Sequence, residues 1–541
     1  MPQYHYEPYE YVAPPEIKTG SSGHTPVAII GAGPIGLAAA IDLALHDVPC
    51  ILLDDNNVVS VGSRAICWSK RTLEIFDRLG VGDRMVEKGV TWKVGRLFHG
   101  DREVYSFDLL PEHGHKMPAF INLQQYYVEE YLVDRVRDFP HLIELRFKNE
   151  VVGHEIGEDG VTLEINTPDG PYRLRADYAI ACDGAGSPTR QRMDLRFEGH
   201  TFEEQFLIAD VEMPESPFKT EHPERWFWFD PPFHNGQSAL LHKQPDNIYR
   251  IDLQLGPDAD AQEEKREENV IPRIRAVVGD KPFELDWMSV YKFTCAKLDR
   301  FVHGRMIFAG DSAHVVSPFG ARGGNGGIQD IDNLCWKLAA IVKHRADADL
   351  LDSYDAERSH GSEENILNSS RATNFMTPKS EMEAIFRNET LNLAETMPFA
   401  RRLVNSGRLS QPCSLAGYTL QMPAAPSSAG LEPGAPCLDA PLLGDGDEIW
   451  LLNRLGGTFK LLTVGDVALP DDLEGLERVA VSTGAAVDGG LEDRRHFVVQ
   501  RYGDGVAYLV RPDQHIAARF DGAVTETALH AALKRAYGEA V

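Results

Sequence analysis

The first part of the chain predicts a strand, a helix and a second strand in close succession. Residues 26–30 (PVAII) and 48–53 (VPCILL) are two short apolar runs, and the segment LAAAIDLALHD between them has the spacing of a helix. Because neither run alternates with polar residues, both strands should be buried on two faces, as in the parallel sheet of an α/β domain. We therefore predict an α/β domain that begins near residue 26.

The other parts of the chain follow different patterns. Between about residues 193 and 297, aromatic and alternating segments such as RWFWFD and IYRIDLQL predict an antiparallel sheet inserted between α/β segments. Residues 421–436 are rich in Pro, Ala, Ser and Gly, which predicts a linker. After it, four apolar runs (KLLTV, RVAVS, FVVQR and AYLVR) and a closing helical pattern indicate a further unit. Residues 1–25, with four Tyr and four Pro, predict an extended arm that lies on another surface or stays mobile.

Composition and charge narrow the class of protein. The 541 residues are 43% hydrophobic and 25% charged, which is typical of a globular protein with several domains. The balance of 54 Lys and Arg against 82 Asp and Glu gives a net charge of −28, which disfavours nucleic acid and anionic membranes as partners. The seven Cys include no CxxC pair, so we expect reduced thiols and no metal site. With no apolar run of about 20 residues and no signal-peptide pattern, we expect a soluble cytoplasmic protein.

A glycine-rich turn between the first strand and the first helix is the earliest candidate for ligand binding. In its sequence GAGPIG we assign five residues to a nucleotide site: Gly31, Gly33, Pro34, Ile35 and Gly36. In such a turn the first glycine allows the tight bend, the second lets the backbone approach a pyrophosphate, and the third lets the helix pack against the strand. Asp54 ends the second strand, where a carboxylate can accept hydrogen bonds from a ribose. Asp55 is an alternative to Asp54, and a coincidental glycine turn beside a surface acid is the alternative to the whole site.

Two later segments end apolar strands with an acidic residue beside a glycine. RADYAIACDGAGSPTR (residues 175–190) contains Asp183 and Gly184, and GRMIFAGDSAHVVSPFGARGGNGGIQDIDNLCWKL (residues 304–338) contains Gly310 and Asp311. Together with the GxGxxG turn, and in this order, they resemble the DG and GD motifs of the single-component FAD-dependent aromatic hydroxylases, which are flavoprotein monooxygenases. The resemblance covers nearly the whole chain and is to the group of the phenol hydroxylases and 3-(3-hydroxyphenyl)propionate hydroxylases.

The resemblance implies an α/β fold with a discontinuous Rossmann-like FAD-binding domain, an inserted mixed β-sheet substrate domain and a C-terminal thioredoxin-like domain. The C-terminal unit contains no CxxC, so we expect it not to transfer electrons. We also expect this unit to support a homodimer. The predicted boundaries are an N-terminal arm at 1–25, the FAD-binding domain at 26–90, 118–192 and 298–375, the substrate domain at 91–117 and 193–297, a helical segment and linker at 376–436, and the thioredoxin-like domain at 437–541.

The resemblance also implies roles in FAD binding for residues that match the family's motifs. Asp311 would bind the ribityl hydroxyls, Gln125 would reach the ribityl chain, and Arg64 would lie near the pyrophosphate and the flavin. Gln124 replaces Gln125 if the register shifts by one residue, and the alternative role of Asp311 and of Asp183 is to cap a helix or a turn. The remaining matches belong to the flavin ring or the DG segment: Asp183, Gly184, Arg190, Gly310, Pro318, Gly323, Gly324 and Asn325.

A helix should begin directly after this glycine segment. It is predicted by an apolar stripe of five residues: Ile328, Ile331, Leu334, Leu338 and Ile341. The positive end of such a helix would stabilise the negative charge of reduced flavin. Ala321 and Arg322 depart from the family's usual AGQGMN pattern, in which a Gly and a Gln stand at these positions, so the details of flavin contact remain open.

The reaction implied by the resemblance is hydroxylation of a phenolic ring with NADH or NADPH and O2. NAD(P)H reduces FAD, O2 adds at flavin C4a, and the hydroperoxide transfers one oxygen atom to the ring. Since a phenol has a pKa of about 10, a nearby base or cation should help to ionise it. The candidates for catalysis are His242, Tyr249, Tyr291 and Pro318, and those for substrate contact are Trp226, Trp228, Arg250 and Phe319. Packing is the alternative role for each of them.

Two other functions stay open at this point. The segment WFWFDP (residues 226–231) is similar to the WxWxIP signature of flavin-dependent halogenases, although Asp230 replaces the Ile. The third possibility is a flavoprotein that binds FAD without hydroxylating a substrate and uses its C-terminal unit as an interaction module. The aromatic substrate, the ring position, the choice between NADH and NADPH and the oligomeric state are not decided by the sequence.

Overall fold

The computed structural model describes most of the chain. It covers residues 4–539 apart from residues 63, 111, 235, 405–410, 424–429, 445, 474 and 485–489, and leaves out the side chains of residues 203 and 204. The described part is a mixed α/β fold with four β-sheets, which we call the first, second, third and small sheets. Among these residues no helix combines the length and the apolar character needed to cross a membrane.

The first sheet has eight strands and contains the predicted β-α-β unit. Its main path runs through Val302–His303, Met306–Phe308, Gly170–Ala181, Gly23–Ile30, Cys50–Asp54 and Ile143–Phe147, and Glu150–Ile156 and Val161–Thr167 pair beside Gly170–Ala181. The five strands from Met306–Phe308 to Ile143–Phe147 are parallel, so their carboxyl ends lie along one edge. Val27, Ala28 and Ile29 are fully buried, as predicted for a strand covered on both faces.

Three helices that pack against one another contribute to the core of the first sheet. The helix Pro34–Leu45 follows the glycine turn and packs against Gln125–Val136 and Gly323–Val342. The five residues of the predicted apolar stripe from Ile328 to Ile341 are all buried, which confirms that helix. The other α-helices in the described part of the chain are Pro15–Thr19, Lys70–Arg78, Gly82–Lys88, Pro188–Arg192, Ala261–Glu264, Glu267–Val278, Leu350–Met376, Glu381–Ala394, Pro398–Val404, Phe497–Tyr502 and Glu526–Ala536.

The second sheet lies mostly within the segment predicted to be antiparallel. Its eight strands follow the order His314–Val315, Glu284–Lys297, Glu198–Glu212, Ile248–Leu255, Ala239–Lys243, Glu224–Phe229, Val94–His99 and Arg102–Asp108. All neighbours are antiparallel except Glu224–Phe229 and Val94–His99, which are parallel, so the sheet is mixed. The small sheet beside it contains Cys67–Ser69, Phe120–Asn122 and Val90–Thr91.

The third sheet belongs to the C-terminal part of the chain. Its seven strands follow the order Asp447–Trp450, Pro441–Gly444, Leu491–Glu492, Glu477–Ser482, Lys460–Val464, Val506–Val510 and Ile516–Asp521. Three of the four apolar runs noted in the sequence are strands of this sheet, whereas FVVQR is part of the helix Phe497–Tyr502. The Asp493 carboxylate accepts a hydrogen bond from the Val499 backbone N–H, which supports this short helix near its start.

The C-terminal part is joined to the rest of the protein by buried polar contacts. The Arg511 guanidinium donates hydrogen bonds of 2.7 and 2.9 Å to the Glu357 carboxylate, which also accepts one from Lys337. The predicted linker takes part in this packing: the backbone N–H of Gly434 donates to the Ile516 carbonyl oxygen at 2.7 Å, and residues 424–429 lie outside the described part. The thioredoxin-like assignment and the domain boundaries stay predictions.

Candidate active site

A cavity of about 1130 Å³ lies between the carboxyl edge of the first sheet and one face of the second sheet. Most residues assigned to cofactor binding from the sequence line it: Gly31, Gly33, Pro34, Ile35, Asp54, Asp55, Arg64, Gln125, Asp183, Gly184, Asp311, Pro318, Gly323, Gly324 and Asn325. Gly36 and Gly310 are not among the described lining residues, and they lie buried directly behind it. Widely separated segments of the chain are thus brought to one place, while the roles of individual residues stay predictions.

The glycine turn needs glycine at its first and last positions. Gly31 has φ of +102°, and a Cβ added to it would lie 2.6 Å from the Cys182 carbonyl oxygen. A Cβ on Gly36 would lie 1.9 Å from the Gly31 carbonyl oxygen. Over Gly33 the space is open, and the helix that starts at Pro34 has no side-chain cap and no acidic residue in its first turn. The turn therefore offers open backbone N–H groups and the positive end of a helix, which suits a phosphate.

Asp54 holds this turn from the neighbouring strand. One carboxylate oxygen accepts a hydrogen bond of 2.6 Å from the Ala32 backbone N–H, and the other accepts one of 2.8 Å from the Asn56 backbone N–H. Burial raises the pKa of Asp54 to about 6, although the two backbone hydrogen bonds oppose the shift. Asp55 is exposed beside it. Asp54 thus positions the turn and still has acceptor capacity for a ribose.

Gln125 braces the loop that carries Arg64. Its side-chain oxygen accepts from the Ala65 backbone N–H at 3.1 Å, and its amide group donates to Glu129 at 2.8 Å. Burial raises the pKa of Glu129, whose carboxylate also accepts from the Ser60 backbone N–H at 2.5 Å. Gln124 is buried outside the cavity, with its amide group donating to the Pro245 carbonyl oxygen. Of the two alternatives, the structure therefore places Gln125 at the site.

The DG segment forms a capped turn. The Asp183 carboxylate accepts hydrogen bonds from the Ser187 hydroxyl at 2.5 Å and from the Thr189 backbone N–H at 2.9 Å. Arg190 is buried and is not among the described residues that line the cavity. It donates to the Ser312 and Ala185 carbonyl oxygens, and in this way it joins the DG and GD segments. Direct contact of Arg190 with a cofactor has no support in this geometry.

Asp311 of the GD segment presents its carboxylate to the cavity. No described residue donates a hydrogen bond to it, and burial raises its pKa. Gly310 before it has φ of +66°, and its backbone N–H donates to the Asp330 carboxylate at 2.9 Å. The same Asp330 carboxylate lies 2.7 Å from His314 Nε2, so the group that holds the Gly310 backbone is itself held in place. The GD turn is therefore held by other groups, and the Asp311 carboxylate is left for a ligand with hydroxyl groups.

The helix Gly323–Val342 begins at the cavity wall. In its first turn, the Asn325 side chain accepts a hydrogen bond from the Ser69 backbone N–H and donates one to the Cys67 carbonyl oxygen. Each of these hydrogen bonds is 2.9 Å long. Ala321, which replaces the family's glycine, has φ of +53° in the left-handed region. A residue with a Cβ costs about 1 to 2 kcal/mol in that conformation. Ala321 thus keeps the left-handed backbone conformation that is typical of glycine, although it departs from the usual motif.

The second sheet contributes a polar row to the cavity. Arg225, His242, Arg250 and Asp210 are paired across four neighbouring strands, so their side chains lie on one face. The next row on the same face is Phe227, Leu240, Asp252 and Ile208. Arg225, His242, Arg250, Leu240, Asp252 and Ile208 line the cavity. The cavity wall therefore has a charged row beside a mostly apolar one.

In the polar row, Arg250 and Asp210 form an ion pair with each other, whereas Arg225 and His242 have buried nitrogen atoms without partners among the described residues. The Arg250 guanidinium donates to the Asp210 carboxylate at 2.9 and 3.1 Å and to the Arg64 carbonyl oxygen at 3.2 Å. Arg225 donates to the Cys67 thiol at 3.3 Å, but its Nε has no hydrogen-bond partner among the described residues. His242 Nε2 is 3.5 Å from an Asp252 oxygen. Within the described part, neither His242 ring nitrogen has a hydrogen-bond partner, and neither does Asp252 Oδ1.

The charges of this row shift its pKa values. Burial and the positive charge of Arg225 lower the pKa of His242 to about 4, against a smaller opposing effect of Asp252. Burial opposes ionisation of Asp252, but the contact with His242 and the nearby Arg250 and Arg225 lower its pKa. At neutral pH the ligand-free cavity thus holds a neutral imidazole between a guanidinium and a carboxylate. Buried polar atoms without partners are costly, so they indicate a place for a polar ligand group.

The other end of the wall is aromatic. Phe206 and Phe319 lie 4.7 Å apart between ring centroids, and Phe293 lies 5.8 Å from Phe319. Tyr291 and Pro318 also line this part of the cavity. A flat apolar ring fits against such a surface.

Three of the residues proposed from the sequence lie on the wrong face of the sheet. Trp226, Trp228 and Tyr249 pack into an apolar cluster against the helix Glu267–Val278. They are not among the described residues that line the cavity, so the geometry does not support the roles proposed for them. Side chains alternate along a strand, and these three stand one position away from the cavity-facing set.

Arg225, Asp210 and Asp252 were missed by the sequence analysis. Their signal is the alternation itself: in IYRIDLQL, Tyr249 and Ile251 are apolar, while the positions between and after them, Arg250 and Asp252, are charged. Charged residues at every second position of a buried strand indicate a polar face.

Comparison with known families agrees with this geometry. A model described as "FAD binding domain" matches residues 24–369, and one described as "Aromatic-ring hydroxylase, C-terminal" matches residues 432–540. The first match alone covers more than half of the chain. The chain belongs to the FAD-dependent aromatic-ring hydroxylases. The predicted family, the FAD cofactor and the enzyme class are therefore confirmed.

Relatives of this hydroxylase include proteins named as a flavin-dependent monooxygenase and as aromatic hydroxylases. A flavin-dependent monooxygenase from Mycobacteroides abscessus is 31% identical over 349 residues, which cover 61% of this chain and 70% of the relative. A 3-(3-hydroxy-phenyl)propionate/3-hydroxycinnamic acid hydroxylase from Mycolicibacterium smegmatis is 28% identical over 71% of this chain and 67% of the relative. The alignments thus span about two thirds of these relatives' length.

Solved structures share the fold of this hydroxylase over nearly its whole length. The flavin-dependent monooxygenase PieE, in complex with FAD and substrate, has a TM-score of 0.80 at 23% identity and covers 96% of this chain and 99% of its own. Aklavinone-11 hydroxylase, with FAD and aklavinone, has a TM-score of 0.76 at 22% identity and covers 96% of this chain and 100% of its own. A third structure shares the fold over a shorter part of this chain. The p-nitrophenol 4-monooxygenase PnpA from Pseudomonas putida DLL-E4 has a TM-score of 0.64 at 25% identity and covers 72% of this chain and 99% of its own.

FAD fits the residues present in the cavity. A pyrophosphate suits the open backbone of the glycine turn, and a polyhydroxyl chain suits the unpartnered carboxylate of Asp311. The start of the helix Gly323–Val342 lies on the same wall, where its positive end would stabilise the negative charge of a reduced flavin.

Proposed function

We propose that this hydroxylase uses NAD(P)H and O2 to hydroxylate a phenol whose hydroxyl group binds Arg225, His242 and Asp252. The observation that carries the proposal is the set of buried polar atoms without partners on one face of the second sheet, beside an aromatic surface. A phenol has the same two parts, a polar hydroxyl and an apolar ring.

In this proposal the residues that would hold FAD lie along the carboxyl edge of the first sheet. Gly31, Gly33 and Asp54 would hold the adenosine and pyrophosphate end, Asp311 and Gln125 would hold the ribityl chain, and the segment 323–325 would support the ring. Bound FAD supplies hydride acceptance from NAD(P)H and activation of O2 for transfer of one oxygen atom to the substrate. The protein excludes water and orients the ring.

The polar row is suited to ionising a phenol. Burial and the Arg225 charge keep His242 neutral, with a pKa of about 4, so a ring nitrogen is free to accept a hydrogen bond from the phenol hydroxyl. It becomes the acceptor of the phenol proton as the phenolate oxygen pairs with Arg225, because that pairing offsets the charge that lowers the His242 pKa. The resulting imidazolium is stabilised by Asp252, 3.5 Å away. The Arg225 guanidinium then stabilises the phenolate oxygen by a charge-assisted hydrogen bond. His242 is thus the base in this proposal, and Arg225 and Asp252 offset the two charges that the transfer creates.

The same row distinguishes a hydroxyl from a carboxylate. A phenol hydroxyl both donates and accepts hydrogen bonds, which matches an acceptor at Asp252 and a donor at Arg225. A carboxylate accepts only, and the Asp252 carboxylate would repel it. The names of the relatives that act on 3-(3-hydroxyphenyl)propionate and p-nitrophenol include phenols, which supports a phenolic substrate here.

A panel of matched compounds tests the proposal. For each ring, the purified FAD-loaded protein is given the phenol, its methyl ether and the corresponding benzoate, and substrate-stimulated NADH and NADPH oxidation is measured with peroxide release. We expect stimulation by phenols and a loss of at least a hundredfold in kcat/KM for the ethers. Equal stimulation by the ether, or none by any phenol, would contradict it.

We also propose the domain boundaries given above and a homodimer. Sedimentation velocity gives the mass in solution, and a monomer across micromolar concentrations would overturn the dimer.

A further inference from the structure

The N-terminal arm follows the outer side of a loop whose inner side lines the cavity. Residues 4–14 contain neither helix nor strand and precede the helix Pro15–Thr19. Tyr4, Tyr6, Tyr9 and Tyr11 are partly buried, whereas most residues between them are exposed. The matched FAD-binding family model begins at residue 24, so the arm lies outside the matched residues.

The first contact fixes the start of the loop. The Tyr9 backbone N–H donates to the Asn57 carbonyl oxygen at 2.7 Å, and the Asn57 side chain donates back to the Tyr9 carbonyl oxygen at 2.8 Å. The Tyr9 ring stacks on Phe147, with 4.7 Å between centroids and 7° between planes. This reciprocal pair binds the arm directly behind Asp55 and Asn56, which line the cavity.

The second contact fixes the tip of the loop. The Tyr6 hydroxyl accepts a hydrogen bond of 3.0 Å from the Gly62 backbone N–H. Gly62 has φ of +78°, and a Cβ on it would lie 2.5 Å from the Trp287 indole nitrogen. Gly62 is therefore held between the arm on one side and the second sheet on the other.

The arm itself is anchored on the helix Gln125–Val136. Tyr4 packs on Tyr126 with 4.2 Å between centroids, and its hydroxyl donates to Glu130 at 2.8 Å. The same helix carries Glu129, which binds the loop from the inside. Arm and helix thus hold the loop from two directions.

We infer that the arm is a clasp that retains FAD by holding the loop of residues 55–62 in place, with Tyr6 and Tyr9 as positioning residues. The inner side of this loop presents Asp55, Asn56, Val58, Val59, Ser60 and Val61 to the cavity. FAD cannot leave along this side while the loop is held, so the arm contacts oppose its dissociation. This inference rests on the proposed placement of FAD in the cavity.

Point variants test the clasp on the full-length holoenzyme. Tyr6→Phe keeps the ring and removes only the acceptor for Gly62, and Tyr9→Ala removes the stacking on Phe147. Each should raise the FAD dissociation rate, measured by recovery of flavin fluorescence, by about two- to tenfold, the range expected for one hydrogen bond or contact. Hydrogen exchange of residues 57–62 should increase in parallel.

Tyr11→Phe is the matched control, because it makes the same change in the same arm. The Tyr11 hydroxyl donates to Asp169 at 3.2 Å, on the turn before the strand Gly170–Ala181 and away from the loop. The melting temperature of the apoprotein, measured for all variants, separates FAD retention from general stability. We expect Tyr11→Phe to match the wild type in both measurements.

Asp311→Ala separates failure of the clasp from failure of the site. If Asp311→Ala weakens FAD binding while Tyr6→Phe and Tyr9→Ala leave the dissociation rate unchanged, the clasp is wrong and the site stands. If none of the three variants changes FAD binding, the placement of FAD is wrong and the clasp falls with it. An equal effect of Tyr11→Phe, or faster dissociation only in step with a lower apoprotein melting temperature, would also overturn the clasp.

Discussion

Replacing Arg225 with Met should separate phenol activation from binding of the ring. Met retains much of the apolar volume but removes the guanidinium. Arg225 is 8% exposed and donates to no described oxygen atom, only to the Cys67 thiol, so its charge is available to a ligand. Its loss also leaves the Asp252 carboxylate without a nearby balancing charge on that side.

The size of the effect follows from the hydrogen bond that is lost. A hydrogen bond to a charged group contributes about 1.5 to 3 kcal/mol. Because one pKa unit corresponds to about 1.36 kcal/mol, the pKa of a bound phenol should rise by roughly one to two units in Arg225→Met. The same energy corresponds to a loss of about 10- to 150-fold in kcat/KM for a phenol that reacts as its anion.

The assay uses a chromogenic phenol bound to the oxidised enzyme. Titration of 4-nitrophenol absorbance against pH gives the ionisation of the bound ligand, and steady-state NAD(P)H oxidation gives kcat/KM. Arg102→Met, on an exposed edge strand of the same sheet and paired there with Glu395, is the control. A bound phenol pKa that is unchanged in Arg225→Met, together with kcat/KM within twofold of the wild type, would refute the reasoning.

Three further changes test other parts of the site. Asp311→Ala should raise the FAD dissociation constant by up to about 100-fold, since a hydroxyl loses a charged acceptor; an unchanged constant in a fluorescence titration removes Asp311 from the site. The FAD dissociation constant should rise by up to about tenfold per pH unit below pH 6, because the Asp54 carboxylate, with its pKa of about 6, gains a proton there. Asp54→Asn should flatten that profile, and a wild-type profile already flat from pH 5 to 7 contradicts the role of Asp54. Tyr249→Phe should leave kcat within twofold of the wild type while His242→Gln lowers it at least tenfold; the reverse ranking would restore Tyr249 as a candidate base.

Local motifs were sufficient to select residues that the structure brings together along one cavity. The glycines of GAGPIG are required by close backbone approaches of 2.6 and 1.9 Å, so their spacing determines the turn. Asp54 and Asp311 follow directly from their places at the ends of parallel strands, because those ends meet at one edge. Each of these features is set by a few neighbouring residues.

The substrate end could not be predicted in the same way. The face of a strand that meets the cavity is determined by how the strand pairs with its neighbours in the sheet. A shift of this register by one residue exchanges the two faces. Trp226 and Tyr249 were chosen for their chemistry, whereas Arg225 and Asp252 are placed by pairing across the sheet. The arm was ambiguous for a related reason: its tyrosines find partners more than fifty residues away, at Gly62, Tyr126 and Phe147.

Mass spectrometry of the product formed under isotopically labelled O2 tests the central claim most directly. With FAD-loaded enzyme, NAD(P)H and a phenol that stimulates turnover, the product should gain one labelled oxygen atom on the ring in proportion to the NAD(P)H consumed, and halide should have no effect. A product without label, a halogenated product, or NAD(P)H oxidation that yields only hydrogen peroxide across the whole panel would contradict the account.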